Sequence, residues 1–181
     1  MQTDPAALGE FIDRAGRSLF RLETLDHYDV GSDGGDFQRY VRGESGPDEQ
    51  RKAAWHKVLQ ADLDRGVITS RVHVVRSPLS DYLRYEFEWG YAHNLAYERI
   101  RILDLAERQA PGELDGIGDF WLIDGHAAAV MHYDEDGRYL GFDAAPEERV
   151  PRYAAAAAAA WRAAVPFESY QDHHRAGRRV A

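Results

Sequence analysis

Apolar positions recur along this chain with two periods, and the elements change where the period changes. Ala7, Leu8, Phe11, Ile12 and Ala15 recur at steps of three and four, which predicts a helix over residues 4–17 within an N-terminal segment 1–18. From Leu19 to Leu25 the step falls to two. Phe20, Leu22 and Thr24 take one side of a predicted strand, Arg21 and Glu23 the other. Gly31, Gly34 and Gly35 then break the chain. A helix is predicted from Pro47, with Asp48 and Glu49 at its positive end and Ala54, Trp55, Val58, Leu59 and Leu63 as its stripe, up to Gly66. Residues 67–76 read as a strand, Val72 and Val74 facing one way and Arg71 and His73 the other.

The longest helix is predicted over 78–94, capped by Ser77, with Leu79, Leu83, Phe87, Gly90 and Tyr91 as its core stripe. Residues 97–105 return to period two. Asp124-Gly125 and Asp136-Gly137 are tight-turn dipeptides that divide residues 119–142 into three strands, Phe120–Ile123, Ala127–Tyr133 and 138–142, a meander. Pro151 opens a last helix whose seven-alanine run is an excellent helix former with little side chain to bury, anchored by Trp161 and Val165 and ended by Pro166. The pattern predicts an α+β (or α/β) domain over 1–181: a mixed sheet of about six strands, its meander C-terminal, covered by about four to five helices. A frayed basic tail is expected over 172–181.

Composition narrows the chemistry. With no cysteine, disulfides, thiolate catalysis and cysteine zinc sites are excluded. A net charge of −9 argues against direct nucleic-acid binding. No apolar run nears membrane-spanning length and the N-terminus lacks a signal-peptide pattern, so a cytoplasmic protein without membrane association is expected. The glycine-rich stretch lacks the Lys-Ser/Thr of a phosphate loop, and no dinucleotide fingerprint, nucleophile elbow or His-Glu-x-x-His run is present. No cofactor and no metal are expected.

Four stretches carry a family resemblance: RVHVVRSPLSDYLRYE over 71–86, DFWLIDG over 119–125, MHYDEDGRYLG over 131–141 and WRAAVP over 161–166. Together they resemble an uncharacterised actinobacterial family, abundant in streptomycetes and often encoded beside helix-turn-helix regulators. The resemblance implies an accessory role, regulatory or metabolic, and transfers no catalytic residues. The order of elements also resembles half of a phospholipase D-like domain. The lysine of that family's His-x-Lys motif is missing, because Val75, Leu95, Ala128 and Asp134 stand two residues after His73, His93, His126 and His132.

Candidate chemistry concentrates on the long helix. At 100° per residue Tyr82, Glu86, Trp89 and His93 share one flank, with Glu86 close enough to the core stripe to be partly buried. Arg71 and Arg76 are its candidate partners, and His132 and Trp121 are candidates from the meander. These eight residues predict a pocket wall for a small polar or cationic ligand. Were the chain an enzyme, a transferase or hydrolase of specialised metabolism, Glu86 with His132 or His93 would be acid and base. Three functions fit this pattern: a non-catalytic regulatory or ligand-sensing partner of a helix-turn-helix regulator, such an enzyme, or a structural subunit of a homodimer.

Overall fold

The computed structural model describes residues 1–29 and 35–178, with side chains as far as His173. The break at Gly31 and Gly34 and the basic side chains of the tail beyond His173 lie outside the described residues. The fold is α+β. Among the described residues seven strands form one mixed sheet: β1 (Ser18–Glu23), β2 (Ile68–Val75), β3 (Glu98–Asp104), β4 (Phe120–Ile123), β5 (Ala127–Tyr133), β6 (Tyr139–Ala144) and β7 (Val165–Pro166). Their order is β6-β5-β4-β1-β2-β3-β7. The run β1-β2-β3 is parallel, and β4, β5 and β6 add the expected antiparallel meander beside β1. Asp124 and Gly125 both have positive φ, as their tight turn requires. The short β7 closes the other edge against β3. Two residues long, it gives no alternation to read in the sequence.

The helices are α1 (Pro5–Ile12), α2 (Asp36–Val41), α3 (Glu49–Asp64), α4 (Asp81–Tyr85), α5 (Ala92–Asn94), α6 (Val150–Ala163) and α7 (Phe167–Arg178). Between α4 and α5 the chain continues without a break through a π-helical segment, Glu86–Tyr91. Side-chain oxygens start three of them, Asp4 accepting from the backbone of Ala6, Asp48 from Arg51 and Ser80 from Leu83. The long helix therefore begins at Asp81, capped by Ser80. Ser77 instead donates to Asp104.

The sheet sorts its side chains by parity. Phe20, Leu22, Val72, Val74, Leu103, Phe120 and Leu122 face α6. That helix lies close because Ala156, Ala157, Ala159 and Ala160 are buried against them, so the alanine run makes a tight interface where its small side chains predict little burial. On the opposite face Val75, Ile100 and Ile102 meet Leu83, Phe87 and Tyr91 of the long helix and Phe167 and Tyr170 of α7. Arg21, Glu23, Arg71 and His73 share this second face and are all buried. Alternation puts them on the polar side of their strands. That side is roofed by helices rather than by water.

Of the predicted stripe of α3 only Leu59 is buried. Trp55 is 41% exposed and Val58 50%. Trp55 and Val58 instead line a cavity beneath this helix.

Candidate functional site

Parallel pairing of β1 with β2 sets Arg21 opposite Arg71 and Glu23 opposite His73. Four charged or titratable side chains thus meet on one buried patch, and salt bridges and hydrogen bonds hold them. Arg71 Nη1 donates to Glu23 Oε1 at 2.7 Å, and its Nη2 reaches Glu98 at 3.4 Å. Arg21 donates to Asp119 at 2.8 Å and lies 3.5 Å from Glu23. Asp119 also accepts from the Tyr28 hydroxyl and from the backbone and hydroxyl of Thr24. The Tyr91 hydroxyl donates to Glu23 Oε2 at 2.7 Å and stands 2.7 Å from Nδ1 of His73. The other ring nitrogen of His73 lies 2.9 Å from the Leu25 carbonyl, which only accepts, so Nε2 carries a proton.

Glu86, the first residue of the π segment, enters this patch from the helix side. Its Oε2 is 3.8 Å from His73 Nδ1 and has no hydrogen-bond partner, and 16% of the side chain reaches solvent. Burial, seconded by the charge of Glu23, pushes its pKa up to about 8 against the pull of Arg71. Burial works on Glu23 in the same direction, but Arg71 and Arg21 overcome it and hold that carboxyl well below the usual range. Burial also depresses His73 and Lys52, each pulled back in part by nearby carboxylates.

The cavity between α3 and the long helix measures about 480 Å³. Its floor is Glu86, Gly90, Tyr91, Asn94 and Arg71. Tyr82 and Tyr85 make one wall. Ala54, Trp55 and Val58 of α3 make another, with Lys52, Arg51 and Asp36 beside them. Asp36 is held by Arg39 at 3.0 Å and Arg51 at 3.2 Å. Asn94 Oδ1 is buried and unpartnered, like Glu86 Oε2. Gly90 leaves room at the floor, where a Cβ would meet only Glu86 Cγ, at 3.4 Å. No group of three His, Asp or Glu among the described residues is placed to hold a metal ion. Chemically the site offers a proton-holding carboxyl and an amide acceptor among aromatic and apolar side chains, with Arg51, Lys52, Arg71 and Asp36 also in its lining.

Of the eight residues singled out in the sequence, the structure brings Arg71, Tyr82 and Glu86 together around this cavity. Arg76 is exposed, past the end of β2. Trp89 turns into an aromatic cluster with Tyr40 and Tyr85, and His93 is exposed. The π segment explains both, because its wider turn breaks the 100° spacing that aligned them with Glu86. Trp121 lies under the Arg21 guanidinium, 5.3 Å from it. His132 pairs with Asp143 at 2.9 Å between β5 and β6. The imidazole near Glu86 is His73. Sequence reasoning passes over it, and over Glu23 and Asn94. The signal that could reveal them is a pair of adjacent strands with polar residues in matching alternation, Arg21 and Glu23 beside Arg71 and His73.

No helix among the described residues is long and apolar enough to cross a membrane. No curated protein matches the chain. A family model matches residues 6–172, and on that match the chain belongs to the DUF6879 family, a domain of unknown function.

Proposed function

We propose that this protein is a non-catalytic accessory module that senses a small polar or cationic ligand in the cavity beneath α3. One observation carries the reading: Glu86 brings a buried, unpartnered carboxyl oxygen to the floor of a cavity of about 480 Å³. Buried acceptors without a partner are rare in folded proteins, and a bound ligand is one of the ways in which they are completed. The π turn that carries Glu86 supports the same reading, since such turns recur at functional sites. The family resemblance adds an actinobacterial, cytoplasmic setting and a helix-turn-helix regulator as protein partner. A net charge of −9 complements a basic DNA-binding partner and disfavours direct contact with nucleic acid.

The test is a thermal-shift screen of soluble metabolites on the wild type and on Gly90→Leu, which fills the floor. A ligand at a hundred times its dissociation constant adds about 2.7 kcal/mol. That gain is expected in the wild type and not in Gly90→Leu. If no compound shifts the wild type, or every active compound shifts both chains equally, the cavity is not a ligand site. A second reading, a small transferase or hydrolase, draws on the Glu86 carboxyl, whose pKa of about 8 suits a general acid at neutral pH. Its imidazole would be His73 rather than His93 or His132. Activity that survives Glu86→Gln removes that reading.

A further inference from the structure

We infer that the ligand of this cavity binds through a protonated amine, whose N–H groups are received by Glu86 and Asn94 while its apolar body lies against Trp55 and Val58. This rests on the proposed ligand-binding function and specifies the ligand class.

The unmet atoms at the floor come first. Asn94 Oδ1 is an acceptor and Glu86 Oε2 becomes one when its carboxyl ionises; both are buried and both without a partner. An ammonium group brings three donors and no acceptor, and matches them. The unmet donors of the patch, Arg71 Nε and Arg21 Nη1, belong to guanidinium groups already bound through their other nitrogens, Arg71 to Glu23 and Glu98 and Arg21 to Asp119 and Glu23. Charge comes second. In the buried patch Glu23, Glu98 and Asp119 stand against Arg21, Arg71 and the half-buried Lys52 before Glu86 is counted. Ionised Glu86 then tips the balance to a negative excess that a cation relieves and an anionic ligand deepens. The walls come third. Tyr82 and Tyr85 line the cavity, and the exposed apolar surfaces of Trp55 and Val58 lie beside them.

The groups facing Glu86 fix the pH behaviour. They are Glu23 and Arg21 from β1, Arg71 and His73 from β2, Lys52 from α3 and Tyr91 from its own helix. In the empty cavity Glu86 keeps its proton up to about pH 8. An ammonium group needs the ionised carboxylate and displaces that proton. Amine affinity should therefore rise about tenfold per pH unit between pH 6 and 8 and level off above. A neutral ligand that accepts from the protonated carboxyl would weaken over the same range.

The experiment is calorimetric titration of the full chain at pH 6 and 7.5 with paired probes of matched body: tryptamine against indole-3-propionate and 3-ethylindole, and phenethylamine against 3-phenylpropanoate. At least one amine should bind, about tenfold or more tighter than its anionic and neutral counterparts, and tighten with pH. Glu86→Gln should weaken it at least about tenfold and flatten the pH dependence. Asn94→Asp, which adds a carboxylate beside the first, should tighten it and keeps the test open if Glu86→Gln does not fold. Equal binding of amine and carboxylate, or an unchanged dissociation constant in Glu86→Gln, overturns the inference. So does failure of every amine while the metabolite screen finds a ligand of another class, which leaves the ligand-binding reading standing. A cavity that binds nothing in either experiment ends both.

Discussion

Glu23 and Glu86 sit in one buried cluster, yet their surroundings drive them in opposite directions. Unfolded, Glu86 loses its proton near its ordinary 4.5; folded, it keeps it to about 8. The native state binds the extra proton between those values. The stability Glu86 contributes is therefore complete below 4.5 and is lost as pH climbs to about 8. Glu23 behaves conversely: its contribution holds above 4.5 and disappears in acid, because Arg71 and Arg21 keep it ionised. Glu86→Gln should accordingly gain on the wild type as pH rises, by about 2 kcal/mol between pH 6 and 8. Urea denaturation of both chains at the two pH values measures it, and parallel pH profiles would refute the assignment. Tyr91→Phe strips a hydroxyl from both Glu23 and His73, two buried groups. A loss of about 2–4 kcal/mol at neutral pH is expected by the same measurement. Sequence pattern finds Glu86 and Arg71, because a carboxylate on an apolar helix flank asks for an arginine. It cannot find His73, since a polar residue in an alternating strand reads as facing solvent until something is known to cover it.

Helices succeed or fail as sequence readings according to what they pack against. The meander is legible because Asp-Gly turns and strand alternation are local. The π segment is not legible: nothing in Glu86–Tyr91 departs from an α-helical pattern, and the wider turn appears only in the packed helix. In α6 the pattern is readable and its consequence is not. A run of alanines fixes helix, but whether it buries area depends on how near the sheet comes. Here Ala160 is fully buried against β-strand side chains, while Ala158 points to solvent. Ala160→Leu should overpack this interface and cost about 1–3 kcal/mol in thermal or urea unfolding. Ala158→Leu should stay within about 0.5 kcal/mol of the wild type. Equal tolerance of leucine at both positions would show that α6 lies farther from the sheet than the burial of Ala160 requires.

Across the whole molecule, the parallel strands and the antiparallel meander meet at a single seam, β1 against β4. Backbone pairing there covers four residue pairs, and Asp119, one residue before β4, ties the seam from the side. Its Oδ1 accepts from the backbone and hydroxyl of Thr24, its Oδ2 from Arg21 and Tyr28. Four donors from the β1 side thus converge on one carboxylate of the meander side. A neutral amide of the same shape cannot replace it, because its NH₂ would face two donors and leave the Arg21 charge buried beside Glu23 alone. Asp119→Asn is therefore expected to cost about 3–5 kcal/mol, a large share of the stability of a chain this size. Hydrogen exchange locates the loss. Amides of β4 and β5 should lose protection together with those of β1, because the seam is shared, while the β2–β3 pairing keeps more of its own. If β1 stays fully protected and only the meander opens, the carboxylate closes the meander locally and does not join the two halves of the sheet.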